Sequence, residues 1–373
     1  MQKIISLLSQ ELKITAQQAQ AAVELLDGGN TVPFIARYRK EATGSLDEEQ
    51  LRTIEERTAY LRNLEERRQE ILTAIGEQGR LTPELEQAIN SAVKMQTLED
   101  LYLPYRPKRR TRAQIARERG LEPLAQLIED QQKPLLPLEK LAAMHVDEAK
   151  GVATTADAWQ GACDIVAENI SDRADVRDLL RRELYKTGVL ASSLIVDEKD
   201  APEFLNYSEY SEPVRQLPPH RILALNRGEA KKALKITLTY PEAAVLDKLE
   251  NKLRLNKHSV FYNHYRTAME DSFKRLIEPS LERELRNELT EKAEKQAISV
   301  FAANLRQLLL TQPIGGHTIL GLDPGYRTGC KTAVIDPSGR VLATTAMHIT
   351  GSQRQQQEAE RQFVQLMNQY NIT

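Results

Sequence analysis

Between Arg106 and Arg119 the chain carries Arg106, Lys108, Arg109, Arg110, Arg112, Arg117 and Arg119 against one acid, Glu118. Arginine dominates, and its planar guanidinium grips phosphate oxygens in a paired geometry that a lysine ammonium lacks. Pro104 and Pro107 predict an extended approach that keeps the basic side chains out of a helix interior. Tyr102 and Tyr105 lie just upstream and offer stacking faces for unpaired bases. Two readings stay open: a contact for the phosphates of RNA or DNA, or a solvated loop whose arginines pair with acids of the same chain, such as Glu65 and Glu66. A smaller basic spot, PFIARYRKE, holds Arg37, Arg39 and Lys40. Its two readings are a direct nucleic-acid contact, or a structural segment that Phe34, Ile35 and Tyr38 anchor in a core while Glu41 and later acids pair the cations.

A third constellation is GLDPGYRTG. Asp323 closes an apolar strand and Pro324-Gly325 turns the chain after it, the way metal-dependent nucleases present a first ligand. Two-metal hydrolysis needs several carboxylates around ions ~3.5–4 Å apart. Asp336, Glu358 and Glu360 follow, but no spacing ties them to Asp323, whose alternative role is to cap a tight turn. The glycines form neither GxxxxGK[ST] nor GxGxxG, so no nucleotide or other cofactor is expected. Cys330 has no histidine near it in sequence and reads as a small packing residue in a strand.

The elements that must position these residues are mostly helical up to about residue 310. Thr15 with Gln18 forms a capping-box pattern for a helix reaching Leu26, and Ser45 with Glu48 repeats the signal. Leu51, Ile54, Leu61, Leu64, Ile71, Leu72 and Ile75 then mark one face of a long helix, with gaps at Thr58 and Arg68. Thr82-Pro83 starts another helix, and further helical patterns run over Leu124–Ile128, Ala158–Ile170 and Val176–Tyr185. Two β-rich runs, Leu190–Val196 and Leu234–Tyr240, flank an expected irregular connector at residues 200–219. A second long helix is expected from Leu281 to Leu310, with Leu281, Leu285, Leu289, Ala293, Ala297, Phe301, Leu305 and Leu308 as its buried stripe. After Pro313-Ile314-Gly315-Gly316 the runs TILGLD, KTAVID and RVLATTAMHI read as antiparallel strands, the last two joined by a PSGR turn, and a helix over Gln353–Tyr370 closes the chain. Three such strands and a helix are the opening of a ribonuclease-H-like fold. The fold class is therefore mainly α, with three regions: 1–190, 191–315 and 316–373.

Composition narrows the function classes. The 373 residues carry 51 Lys and Arg against 53 Asp and Glu, a net charge of −2. A global field cannot attract a polyanion, so any such affinity must be local. Two distant cysteines and six scattered histidines make neither a disulfide framework nor a zinc site, and fit a reducing cytoplasm. MQKIISLLSQELKI reads as an amphipathic helix rather than a signal peptide. No run approaches the ~20 apolar residues of a membrane span.

Three stretches, NTVPFIARYRKEATGSLDEEQLR, LEDLYLPYRPKRRTRAQIARERGLEPLA and GLDPGYRTGCKTAV, together resemble the Tex family of bacterial transcription accessory proteins. The resemblance implies an N-terminal region with a helix-turn-helix-like element, a long central helix and a YqgF-type ribonuclease-H-like domain, of which only the start is present. It implies RNA or DNA as partners, with transcription or translation machinery beside them. Family members continue into helix-hairpin-helix modules and an oligonucleotide-binding barrel, so this chain is expected to correspond to their N-terminal half. Asp323 stands where a first metal ligand of resolvase-type nucleases would be. Three functions follow for testing: a non-catalytic nucleic-acid-binding factor, a metal-dependent nuclease, and a helical scaffold for polymerase or ribosome.

Overall fold

In the first two helices, α1 (Gln2–Leu12) and α2 (Ala16–Asp27), the turn between them is set by Lys13 in the left-handed region. Thr15 and Gln18 then close the expected capping box. These coordinates are a computed structural model that describes every residue except 108, 313, 326–328, 351 and 373. Helix α3 (Val32–Tyr38) leads to α4 (Glu48–Glu77), whose cap is Asp47 with Gln50 and not Ser45 with Glu48. Ser45 is unavailable as a cap because its own backbone is left-handed, at φ 64°. Around α4 pack α1 to α3 together with α5 (Pro83–Ser91) and α6 (Met95–Tyr102). Thr58 and Arg68, expected as gaps in the stripe, are both buried. Arg68 donates to the carbonyls of Ile89, which also accepts from the Ala92 amide, and, at 2.9 Å, Ala92, so its guanidinium binds the carbonyl end of α5.

A second core forms around α10 (Thr155–Ser171), which buries Ala158, Ala162, Ile165, Val166 and Ile170. Its neighbours are α7 (Arg112–Glu118), α8 (Glu122–Asp130), α9 (Leu138–Ala143), α11 (Ala174–Thr187), α13 (Glu242–Leu253) and α14 (Tyr262–Asp271). Gly161 is the close-packing point between α10 and α7: a Cβ there would lie 2.3 Å from Leu121 Cδ1 and 3.3 Å from Ala116 Cβ. The third core lies between an antiparallel sheet and helices α12 (Pro219–Ala230) and α15 (Glu278–Leu309). That sheet has the order β2-β1-β3, from β1 (Val189–Leu194), β2 (Glu209–Pro213) and β3 (Leu234–Thr239). Strand β2 replaces the irregular connector expected there. It is an edge strand, where Pro213 at its end removes no needed ladder donor.

The cores are bridged by one buried carboxylate. Asp100 on α6 accepts from Arg177 at 3.1 Å and Arg181 at 2.7 Å, both on α11. Those arginines reach on to Ser280 and Glu284 of α15.

The chain divides into two compact units, Met1–Glu294 and Lys295–Thr373. The stripe of α15 is buried at Leu281, Leu285, Leu289 and Ala293 only. Phe301 is 67% exposed and Leu308 70%, so the continuation expected to be buried is not. In the second unit β4 (Ile319–Asp323), β5 (Cys330–Ile335) and β6 (Val341–Met347) form an antiparallel sheet in sequence order, followed by α16 (Gln353–Tyr370). Cys330, Thr332, Val334 and Met347 are buried on the face where Ala359 of α16 packs. The mainly α architecture ending in the first strands and helix of a ribonuclease-H-like domain is the one expected from sequence.

Candidate nucleic-acid interface

The basic stretch begins where α6 ends in a single 3₁₀ turn, Leu103–Tyr105, and Gln78 at the far end of α4 donates to the Tyr105 carbonyl at 3.0 Å. The proline-held extension is therefore short. Thr111 caps α7, its hydroxyl accepting from the Gln114 amide at 3.0 Å, so Arg112, Arg117 and the cap residue Arg119 ride a helix rather than a loop. That helix sorts the cations. Arg106, Arg109, Arg110 and Arg112 are exposed, and Lys108 lies outside the described residues. Arg117 turns inward: it binds Glu122 at 2.9 Å, and Glu168 and Asn169 at 2.7 Å each. Burial disfavours its charge, but Glu168 and Glu122 outweigh that and hold the guanidinium protonated. Arg119 lies along Gly151, whose added Cβ would come within 3.1 Å of its terminal nitrogen. Arg110 pairs with Glu118 at 2.7 Å, but both side chains stay open to solvent, so a competing phosphate meets little resistance.

The two tyrosines are placed differently from the expected free stacking faces. Tyr102 and Tyr105 are half-buried against the first core, with Arg67 5.4 Å over one ring and Arg80 4.8 Å over the other. Arg80 and Arg283 are cations that no spacing in the sequence groups with the loop. Arg80 lines a 530 Å³ cleft with Pro104 and Arg117, and Arg283 a 410 Å³ cleft with Arg106 and Arg177. Each is distant in sequence and brought in by α4 or α15. The clefts also hold acids, including Glu122 and Glu284, so the cations of the stretch most open to solvent are Arg106, Arg109, Arg110 and Arg112, with Arg110 paired to the exposed Glu118.

At the smaller basic spot, Val32 and Ile35 are buried. Phe34 and Tyr38, expected as anchors, are instead 37% and 66% exposed. Arg37, Arg39 and Lys40 are exposed too, and none makes an ion pair among the described residues.

Asp323 is exposed at the end of β4, its partner in register Lys331 of β5. Alternation along the strands puts Asp323, Gly321, Lys331 and Thr344 on the open face of the sheet. Glu358 and Glu360 belong to α16, which covers the opposite face. Asp336 is spent on its own hairpin, accepting from the Ser338 amide at 2.8 Å, the Ser338 hydroxyl at 2.6 Å and the Arg340 amide at 3.0 Å. Those bonds, the Ser338 hydroxyl first, hold its carboxyl below the usual range. Among the described residues no group of three or more His, Cys, Asp or Glu side chains is placed to hold a metal. The residues present do not fit a two-metal centre. Cys163 is buried, and burial, then the nearby Asp164 and Asp271 carboxylates, push its thiol up to about 12.

No described helix is long and apolar enough to cross a membrane. Comparison with known proteins gives three matching family models in order: the Tex-like protein N-terminal domain over residues 2–76, the Tex central region-like family over 133–301, and the Tex protein YqgF-like domain over 317–373. Protein tex of Bordetella pertussis is 44% identical over 93% of this chain and 45% of its own length. The Transcriptional accessory protein Tex of Neisseria gonorrhoeae is 42% identical over 93% of this chain and 46% of its own. The human S1 RNA-binding domain-containing protein 1 is 33% identical over 93% of this chain and 36% of its own. The chain thus spans about half the length of the bacterial relatives it matches. With all three regions present in order, and bacterial relatives above 40% identity along nearly all of it, the chain belongs to the Tex family.

Proposed function

We propose that this chain is a non-catalytic transcription accessory factor of the cytoplasm that holds RNA or DNA through phosphate contacts from residues 106–112. The observation that carries the reading is the sorting of the basic stretch. Helix α7 turns Arg117 and Arg119 onto the protein and leaves Arg106, Arg109, Arg110 and Arg112 facing solvent in a chain of net charge −2. The names of two relatives, a transcriptional accessory protein and an S1 RNA-binding domain-containing protein, support the same class of partner. Four arginines neutralising ~3–4 phosphates give a log–log salt slope of roughly −2 to −3, at ~0.7 per phosphate for single strands. Titration of the chain with single-stranded RNA, single-stranded DNA and duplex at two salt concentrations tests this. The expected outcome is weak, sequence-tolerant binding with that slope, and binding indifferent to salt would refute it.

The scaffold reading keeps one observation of its own, the exposed apolar residues of α15 beyond Ala293. A nuclease role is not proposed, because the sheet separates Asp323 from Glu358 and Glu360.

A further inference from the structure

We infer that the segment Phe34–Lys40 is a second contact for single-stranded nucleic acid, at which the rings of Phe34 and Tyr38 stack on unpaired bases while Arg37, Arg39 and Lys40 meet the flanking phosphates. The first observation is what the core declines. Helix α3 buries Val32 and Ile35 to 4% and 0% exposure yet leaves two aromatic rings outside. An aromatic side chain typically buries 150–250 Å², so leaving two out forgoes a large stabilisation. Positions 34 and 38 are four apart and share one side of the helix. Their ring centroids lie 5.2 Å apart, with the Arg39 guanidinium 5.5 Å above the Phe34 ring.

The second observation is the mount. Thr43 is fully buried; its amide donates to the Arg39 carbonyl at 3.1 Å, and its hydroxyl lies 3.2 Å from that oxygen and 3.3 Å from the Lys40 carbonyl. The Ser45 amide donates to the Lys40 carbonyl at 2.8 Å, and Gln18 Nε2 donates to the Gly44 carbonyl at 3.0 Å. Gly44 sits at φ 61°, and a Cβ there would be 2.8 Å from Gln18 Nε2, so this turn requires glycine. The backbone carrying Arg39 and Lys40 is fixed before any ligand arrives, which lowers the ordering cost of binding.

The third observation is charge. The nearest acids in sequence are Glu41, Asp47 and Glu48. Asp47 is occupied as the cap of α4, accepting from the Gln50 amide at 2.8 Å, and Glu48 holds Arg52 at 2.9 Å, so only the exposed Glu41 offsets the three cations and the segment stays net positive. Cations interleaved with exposed aromatic faces are the combination that binds single strands without sequence preference. An acidic protein segment would use the charges but has no equivalent use for paired open rings.

This site rests on the reading of the chain as a nucleic-acid binder but on none of the loop residues. The Phe34 turn feeds the start of α4, and the basic loop is tied to its end through Gln78. Helix α4, thirty residues at 1.5 Å rise, is ~45 Å long, and the two contacts share no residue, so they are independently removable. The test compares the wild-type chain, F34A/Y38A, R37E/K40E and R109E/R110E for binding to a labelled oligouridylate and to an RNA duplex of equal length. F34A/Y38A is expected to weaken oligouridylate binding roughly 5-fold or more, the lower end for loss of base stacking, without changing the salt slope or duplex affinity. R37E/K40E is expected to flatten the slope, and Tyr38→Phe to retain wild-type affinity. Both aromatic positions are exposed, so an unchanged melting temperature certifies the fold. If F34A/Y38A binds oligouridylate as tightly as wild type while R109E/R110E has lost binding, the stacking site is overturned and the loop stands. Weakening by F34A/Y38A with no effect of R109E/R110E supports the stacking site and removes the loop. No salt-dependent binding by the wild type overturns both.

Discussion

At the scale of single residues, placement depended on what each side chain could satisfy, and that is where the sequence was least informative. Arg68 interrupts an apolar stripe, yet the structure buries it to 3% exposure, where two carbonyls at the end of α5 accept from its guanidinium. Periodicity counts an arginine as polar and cannot see an acceptor 21 positions away. Replacing Arg68 with Met should cost about 1–3 kcal/mol, since the Ala92 carbonyl would lose its guanidinium donor while Ile89 keeps the Ala92 amide. A urea midpoint unchanged from wild type would contradict this. Phe34 and Tyr38 erred the other way: aromatics are usually buried, and only the structure shows that Val32 and Ile35 already fill the site. Asp323 was legible as a strand-end carboxylate, but not its isolation from Glu358 and Glu360. Incubating the chain with single-stranded and branched substrates in Mg²⁺ or Mn²⁺ should give no cleavage above that of Asp323→Asn. Metal-dependent cleavage lost in that variant would restore the nuclease reading.

At the scale of elements, helix starts with side-chain caps were readable, as at Thr15 and Thr82, whose hydroxyls accept from Gln18 and Leu85. The start of α4 was misplaced by two residues because Ser45-x-x-Glu48 and Asp47-x-x-Gln50 both fit the capping pattern, and a left-handed backbone disqualifies the serine. Helix α15 shows the limit of periodicity itself. Its leucine spacing continues to Leu308, but spacing only says which face would be buried if something covered it. Leu289, 7% exposed in the third core, and Leu305, 40% exposed, should therefore behave differently. Leu289→Ala is expected to cost about 2–5 kcal/mol, and Leu305→Ala to stay within ~0.5 kcal/mol. Equal destabilisation of both by thermal melting would mean that the distal stripe is covered in solution.

For the whole molecule, near-neutrality is the governing fact. Lysines and arginines almost cancel the acids, and much of that cancellation is local, as in the Asp100–Arg177–Arg181 bridge and the Arg57–Glu11 and Arg62–Asp27 pairs. What stays open to solvent is therefore informative, and it includes the arc of Arg106, Arg109, Arg110 and Arg112, Arg110 having only the exposed Glu118 as partner. The order of regions was legible from composition and punctuation. The sorting of the six described cations into exposed and inward sets was not, because it depends on α7 docking against α10 through Ala116 and Gly161. The most direct test is the salt dependence of single-stranded RNA binding by wild type and by R109E/R110E, with both melting temperatures checked for equality. Removing two phosphate contacts should weaken binding and flatten the log–log slope by roughly 1.4, at ~0.7 per contact. A folded double variant that matches wild type in affinity and slope at both salts would contradict the assignment of the nucleic-acid contact to this arc.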